Sequence, residues 1–284
     1  MPDPNYASVV ERAQQGDSSA FAELVSRFQD LAVGTAYGWL GEIESARDVA
    51  QEAFLDAHRL LGQLREPSAF PGWFRQIVTK HCDRVTRRNQ VKIAPLEFAD
   101  GAGAVQPGPE ALFARDQKRE QLRLAVDSLP ASERVVVALH YFAEATGSEV
   151  SAFLELPEST IKKRLRRARK RLRDDGDKLM QETIDGMRPS KTNTFAREVS
   201  FFLALRAGDR PEVQRLLDLQ PELVDTLQDW DASLAYDGIL PFANKATPLI
   251  TAIERNDLAM QSLLLGAGAD VNGLCGCATG EAPI

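Results

Sequence analysis

The most chemically distinctive stretch of this chain is a run of cations on a predicted helix. Between Ile161 and Arg173, nine of thirteen residues are Lys or Arg and none is acidic. Apolar residues recur through the run at helical spacing and leave one narrow buried stripe: Ile161, Leu165, Ala168 and Leu172. A solvated helix face normally mixes both signs, whereas a single-signed face repels itself and is stabilised by a polyanion. The run therefore predicts a helix that lies in a DNA groove.

The residues before the run supply the rest of a DNA-binding motif. A short helix is predicted over 148–154, and Glu155-Leu156-Pro157 forms a turn that places Pro157 in the first turn of the basic helix. A helix-turn-helix presents its second helix to the major groove. Early residues of that helix would approach base edges or near phosphates, and later ones would follow the backbone. The candidate contacts are Ser159, Thr160, Lys162, Lys163, Arg166, Arg167 and Arg169.

The charge of the whole chain is less informative than its distribution. The formal net charge is −7 over 284 residues, which alone argues against a general nucleic-acid binder. Residues 189–284 hold seven basic and thirteen acidic residues, so the first 188 residues are close to neutral, at −1. Their positive charge is gathered in two patches. The length favours about two domains, and 44% hydrophobic residues suffice for ordinary cores.

No residue pattern points to catalysis, a cofactor or a metal. The three cysteines, Cys82, Cys275 and Cys277, make no disulfide framework and fit a reducing compartment, and a lone C-x-C is a weak metal motif. The sequence has no nucleophile elbow, phosphate-binding glycine loop or zinc-protease motif. No apolar run approaches the ~20 residues that span a bilayer. We expect a cytoplasmic protein that is not an enzyme.

The N-terminal part, residues 1–92, is helical by pattern. Ser45 and Asp48 predict a capping box, and the helix after it carries apolar residues inward and a polar face outward. That polar face is Arg47, Asp48, Gln51, Glu52 and Asp56.

A second basic cluster follows residues 67–71. Trp73 and Phe74 lead into a helix that carries Arg75, Lys80, Arg84, Arg87 and Arg88. Aromatic rings beside a row of cations suit melted DNA, because bases stack on rings while arginines hold phosphates. The rings, together with Ile77 and Val78, are alternatively core residues, so the basic row is the safer functional prediction.

Four motifs together resemble the extracytoplasmic-function sigma factors of bacterial RNA polymerase, across about residues 5–180. They are SARDVAQEAF at 45–54, FPGWFRQI at 70–77, LPASERVV at 129–136 and STIKKRLRRAR at 159–169. The resemblance implies an all-α protein with a region-two domain at 1–92, a flexible linker at 93–110 and a region-four domain at 111–186. It also implies core RNA polymerase and promoter DNA as partners, and a role in promoter recognition, melting and initiation.

The resemblance assigns roles to particular residues. Asp48, Gln51 and Glu52 match the face that docks on polymerase. Trp73 and the row of cations from Arg75 to Arg88 match the residues that bind the upstream edge of the melted promoter element. Ser159 to Arg169 match the residues that recognise the more distal promoter element as duplex DNA.

The tail, residues 187–284, resembles an ankyrin-repeat segment. Thr247 to Ile253 followed by Asp257 to Asn272 matches one repeat, and Gly208 to Asp225 is a half-match at an offset of 47 residues. Residues 226–244 are then an inserted loop. The tail is predicted to bind a protein or to regulate the sigma-like part, through an anti-sigma or other regulatory protein or by docking on the basic helices. A stabilising appendage is the alternative.

A second function fits the same helices. A DNA-binding regulator or scaffold could keep the helix-turn-helix without driving initiation. Whether the face of Asp48, Gln51 and Glu52 binds polymerase distinguishes the sigma factor from this regulator or scaffold.

Overall fold

A computed structural model describes residues 6–91, 124–142, 146–172, 188–191, 194–226, 228–229 and 245–271. The chain divides into two compact units, Met1–Asn193 and Thr194–Ile284. Apart from one pair of two-residue strands, all regular secondary structure in these ranges is helical. The all-α prediction is confirmed. The predicted linker, residues 93–110, lies outside the described ranges.

Seven α-helices of the first unit have both of their ends within its described residues. They are α1 (Tyr6–Gln14), α2 (Ser18–Leu40), α3 (Ile43–Leu60), α4 (Phe70–Val91), α5 (Ala131–Phe142), α6 (Gly147–Leu154) and α7 (Glu158–Leu172). Short 3-10 turns cover Leu61–Gln63, Pro67–Ala69 and Pro189–Lys191.

Helix α2 is the centre of the first unit. Residues 28–38 are all buried, and α1, α3, α4 and α5 each pack against this helix. A helix segment that is buried on every side must be surrounded by other elements. Its N-terminus is capped by Asp17, whose carboxylate accepts a hydrogen bond from the Ala20 backbone N–H at 3.1 Å.

The start of α3 differs from the predicted capping box. The helix begins at Ile43, and the cap is Glu42, whose carboxylate accepts from the backbone N–H groups of Glu44 and Ser45. Ser45 therefore lies inside the first turn. Glutamate is an uncommon cap, so the serine and aspartate pattern was the wrong guide to this boundary.

Helices α2 and α5 meet at a position without a side chain. A Cβ added to Gly38 would lie 2.4 Å from the Cα of Val135, closer than real Cβ atoms come to backbone. The Tyr37 hydroxyl, at the same end of α2, donates to the Asp127 carboxylate at 2.6 Å. Gly38 thus allows a backbone approach that a larger residue would block.

Arg134 ties the end of α2 to the start of α5. Its guanidinium donates to the carbonyl oxygens of Gly38 at 3.0 Å and Trp39 at 3.2 Å, in the last turn of α2. It also donates to the carbonyls of Asp127 and Leu129 ahead of α5. A cation suits this place, because the last carbonyls of a helix are unpaired and carry partial negative charge.

The segment 188–191 packs back on the middle of α2. The Arg188 guanidinium lies 3.0 Å from the Asp30 carboxylate, which also accepts from the Ser190 backbone N–H at 3.0 Å and the Ser190 hydroxyl at 2.6 Å. Asp30 and Pro189 are buried. A buried carboxylate needs such partners, since desolvating it alone is costly.

The second unit contains two helix pairs in its described residues. The first is α8 (Thr194–Ala207) with α9 (Arg210–Leu219), followed by a 3-10 turn over Pro221–Asp225. The second is α10 (Pro248–Glu254) with α11 (Leu258–Gly266). Between the pairs, strand β1 (Gln228–Asp229) pairs antiparallel with strand β2 (Lys245–Ala246).

The two helix pairs share their turn chemistry. Gly208 (φ 74°) and Asn256 (φ 54°) occupy the left-handed conformation before each second helix. Asp209 and Asp257 then cap α9 and α11, each accepting from a backbone N–H three residues later. These equivalent positions are 48 residues apart, so the predicted offset of 47 is wrong by one residue at the caps.

Replacing Gly38 with alanine should destabilise the first unit. Helix propensity alone would stabilise such a variant by about 1 kcal/mol, so a net loss of about 1–3 kcal/mol would report the clash with Val135. Urea denaturation measures the free energy of unfolding. Gly62→Ala is the control, because its Cβ would meet open space; equal effects of the two substitutions would contradict the close approach.

Candidate nucleic-acid interface

Helix α7 separates an apolar stripe from an exposed basic surface. Ile161 and Ala168 are buried, as the spacing predicted, whereas Leu165 and Leu172 are only half-buried. The exposed cations on the rest of the helix are Lys162, Lys163, Arg166, Arg167, Lys170 and Arg171. Most of this charge faces solvent and is open to a polyanion.

The turn before α7 is tight and begins with a strained residue. Glu155 has φ 56°, an uncommon conformation for a residue with a side chain. The Ser151 hydroxyl donates to the Leu156 carbonyl, and the Leu156 N–H donates back to Ser151. Pro157 lies just before α7, where its carbonyl accepts from Thr160 and Ile161, so its predicted place inside the first turn is wrong by one residue.

The predicted contact residues of α7 do not all point to solvent. Ser159, Lys162, Lys163, Arg166 and Arg167 are exposed, whereas Thr160 and Arg169 are half-buried. Lys162 forms a 2.8 Å ion pair with Glu158 one turn earlier. The exposed members are therefore the stronger candidates for DNA contact.

Helix α4 places its aromatic residues inward and its cations outward. Phe74, Ile77 and Val78 are buried, so they are core residues, and Trp73 is half-buried with its ring centroid 5.8 Å from that of Phe70. Lys80, Arg84 and Arg87 are exposed. The Arg88 side chain lies outside the described part of the structure.

Arg75 is the exception in this row. Its side chain is only 14% exposed, and its guanidinium lies 2.7 Å from the carboxylate of Glu155 in the turn before α7. The carboxylate occupies a place that a phosphate oxygen could take, because both are bidentate partners of arginine. The candidate interface is thus partly covered by the chain itself.

His81 is held in one neutral form beside these cations. Its Nε2 lies 2.9 Å from the Asp56 carboxylate, and its Nδ1 lies 3.1 Å from the Arg84 guanidinium. Since guanidinium can only donate, Nδ1 accepts and Nε2 carries the proton. Burial lowers the pKa of His81, and Arg84 lowers it further, against the opposing effect of Asp56. The neutral imidazole fixes the orientation of Arg84.

The predicted polymerase face on α3 is more buried than its pattern indicated. Gln51 is 6% exposed and Glu52 is 7% exposed, whereas Asp48 is half-buried. The expectation that this face is exposed is wrong for Gln51 and Glu52. Helix α3 packs against both α2 and α4, so two neighbours cover more of its circumference than one apolar stripe requires.

Two family models match the same helices. The model of sigma-70 region 2 matches residues 24–91, and that of sigma-70 region 4 matches residues 119–172. The sigma-H factor of RNA polymerase from Pseudomonas aeruginosa is 31% identical over 185 residues, covering 62% of this chain and 94% of the relative. The chain belongs to the sigma-70 family, among its extracytoplasmic-function members.

Other relatives carry the same family name. The sigma factor SigE of Mycolicibacterium smegmatis is 32% identical over 173 residues, covering 59% of this chain and 67% of the relative. SigW of Bacillus subtilis is 28% identical over 173 residues, covering 58% and 92%. These matches leave about two fifths of this chain unmatched.

This sigma factor directs promoter recognition and transcription initiation, with core RNA polymerase and promoter DNA as its partners. Region two supplies α2, α3 and α4, and region four supplies α5, α6 and α7. The two basic patches therefore belong one to each region.

The sequence did not reveal three residues whose side chains hold helices of the first unit together. Arg134 lies inside the recognised motif 129–136, Asp30 lies within an apolar helix, and Glu155 lies in the turn. A charged residue inside an apolar pattern was the available signal for Asp30, since such a residue needs a partner. No local signal identified the partners of the other two.

Neither a membrane span nor a metal cluster is found in the described ranges. No described helix is long and apolar enough to cross a bilayer. No group of three or more metal-ligating side chains is found there either. Burial raises the pKa of the Cys82 thiol to about 12, which makes that cysteine unreactive.

Replacing Glu155 with glutamine should strengthen binding of single-stranded DNA. Releasing Arg75 removes a partly exposed ion pair of up to about 1 kcal/mol, which corresponds to tighter binding by up to about fivefold. Fluorescence anisotropy with a labelled oligonucleotide measures the change. Glu158→Gln removes the same charge from the Lys162 pair, and equal gains in both variants would show only an effect of net charge.

Acid should destabilise the first unit through His81. Its pKa in the folded state lies below the unfolded value near 6.5, so its contribution is present above that value and is lost as the pH falls through it. Between pH 7.5 and 5.5 we expect a loss of up to about 1 kcal/mol from this residue. Urea denaturation of the chain and of His81→Gln tests this; identical pH dependence in both would rule it out.

Proposed function

We propose that the two basic surfaces each bind a different element of the promoter. Helix α4 would hold the upstream edge of the melted element, through Trp73, Arg75, Lys80, Arg84, Arg87 and Arg88. Helix α7 would read the distal duplex element through Ser159, Thr160, Lys162, Lys163, Arg166, Arg167 and Arg169. The observation that carries this proposal is the exposed, single-signed face of α7 opposite its buried stripe.

Polymerase docking is assigned to Asp48, Gln51 and Glu52 on α3. The Gln51 side-chain nitrogen is buried without a hydrogen-bond partner among the described residues, which is an unfavourable state. Docking needs these groups to become accessible, so α3 must be more exposed in the complex than it is in this unit. A partner that satisfies the Gln51 amide would favour that change.

The proposed mechanism requires no catalytic residue in this chain. Two tethered DNA readers gain effective concentration on a promoter whose elements lie at fixed spacing. Bound unpaired bases favour the melted state, and polymerase supplies the chemistry. The chain is then a specificity subunit and not an enzyme, and it acts where polymerase acts, in the cytoplasm.

The tail, residues 187–284, is proposed to be an ankyrin-like regulatory or protein-binding module. Paired helices, capping aspartates at matched positions and the Thr247-Pro248 start of α10 support this interpretation. Thr247 accepts from the Ile250 N–H, which fixes that start. The partner would be an anti-sigma or other regulatory protein, or the basic helices of the same chain, which the acidic tail attracts.

One observation favours a second function. The burial of Gln51 and Glu52 would also suit a DNA-binding regulator that does not engage polymerase. Such a protein would retain duplex binding by α7 and would produce no transcript with core polymerase.

Run-off transcription tests these proposals together. Core polymerase and a pool of promoter fragments are combined with the full chain or with a chain ending at Asn193. This end point keeps the Asp30 contacts of Arg188 and Ser190, which an earlier truncation would remove. Specific transcripts from both are expected, with more from the shorter chain.

Each alternative outcome has a distinct meaning. No transcript with retained DNA binding would support the regulator. Equal transcript yields would contradict a regulatory tail. Circular dichroism of the shorter chain is the control for folding, and a triple variant, D48N with Q51A and E52Q, tests the polymerase face by co-purification with core enzyme.

A further inference from the structure

A cleft of about 1000 Å³ lies inside the first unit, between α4 and the helices α5 to α7. Region two supplies one wall, and region four supplies the other. The volume is at the upper end of the range of small-molecule sites, which is about 300–1,000 Å³. The cleft therefore has room for a ligand the size of a nucleotide.

Cations face this cleft from both regions. Lys80, Arg84 and Arg87 line it from α4, and Arg164 lines it from α7. Two acidic residues also line it: Asp56, which pairs with Arg59 and His81, and Asp83.

The four cations lack acidic partners within the described part of the chain. Arg84 contacts only the neutral ring of His81, and Arg164 contacts only the backbone carbonyl of Ser132, at 3.4 Å. Lys80 and Arg87 form no ion pair with a carboxylate in the described part of the chain. Like charges gathered on facing walls repel one another, and a bound polyanion would relieve that repulsion.

The same cleft offers a stacking surface and hydroxyl groups. Trp39 lines the cleft and is 42% exposed, a large fraction for a tryptophan on a packed helix. Thr79 and Ser132 also line it. An accessible indole beside several cations can stack a base while the cations hold phosphates.

We propose that this cleft binds a nucleoside triphosphate, with its base on Trp39 and its phosphates on Lys80, Arg84, Arg87 and Arg164. Because the cations come from both regions, the ligand bridges region two and region four. It also occupies cations of α4 that are proposed to hold melted DNA. Bound nucleotide therefore competes with single-stranded DNA; this last consequence rests on the proposed function of α4, whereas binding itself does not.

Isothermal titration calorimetry of the full chain at physiological ionic strength tests the proposal. ATP, GTP and inorganic tripolyphosphate are the probes. We expect one nucleotide per chain. In the double variant Lys80→Gln with Arg87→Gln we expect binding weakened by about a hundredfold, since each of the two lost charge-assisted hydrogen bonds corresponds to about tenfold. Arg164→Gln should also weaken binding, because region four contributes to the site.

Two controls separate the site from general electrostatics. The double variant Arg65→Gln with Arg255→Gln removes two exposed charges that do not line the cleft, and it should bind nucleotide as the unmodified chain does. Trp39→Leu should weaken ATP binding and leave tripolyphosphate binding unchanged. Thermal melting of each variant confirms that it is folded.

Several results would overturn the proposal. The first is that the chain binds no nucleotide. The second is that both double variants weaken nucleotide binding equally, and the third is that Trp39→Leu leaves ATP binding unchanged. Binding of a single-stranded oligonucleotide without any mononucleotide binding would show that the cleft is only part of the DNA surface. A chain that supports run-off transcription but fails these tests retains its function as a sigma factor, so the two failures are distinguishable.

Discussion

The arrangement of the first unit depends on the burial of Arg134 against the C-terminal end of α2. Its guanidinium satisfies carbonyls from region two and from the residues leading into α5 at once. Removing it would leave several carbonyls unpaired in a buried place, which is more costly than the modest net gain from forming such bonds. Gly38 makes the contact possible, because only a residue without a side chain admits the backbone of Val135. One cation and one glycine thus fix region four against region two.

That contact has consequences for the two basic surfaces that are proposed to bind DNA. With α2 and α5 locked together, the turn before α7 meets α4, and Glu155 pairs with Arg75. The exposed face of α7 stays open, whereas part of the α4 row faces a cleft. DNA, a carboxylate of the same chain and any small anion in the cleft would therefore compete for the cations that are proposed to bind a phosphate backbone.

The residues that follow region four are tied to region two by the same principle. Asp30 is a buried carboxylate on the central helix α2, and it accepts hydrogen bonds from Arg188 and Ser190. A charge in such a place is tolerated only when it is paired and hydrogen-bonded. The first unit therefore extends to residue 191 at least, beyond the predicted domain end at 186. The second unit repeats a local solution, a left-handed residue followed by a capping aspartate, in each helix pair.

The sequence by itself determined where most helices lie, the exposed basic surface of α7, the helix-turn-helix and the family. Those features follow from periodicity, charge runs and turn residues within short windows, so neighbouring residues suffice to specify them. Even there, the start of α3 shifted by three residues, from a predicted cap at Ser45 to the observed cap at Glu42, and Pro157 shifted by one residue. Only the tertiary structure decided that Gln51 and Glu52 are buried, that Glu155 covers Arg75, and that Arg134 and Asp30 find their partners. The bonds of Arg134 to Gly38 and of Arg188 to Asp30 join residues 96 and 158 positions apart. No local pattern encodes such pairs, because they exist only once packing has brought distant segments together and removed water from between them.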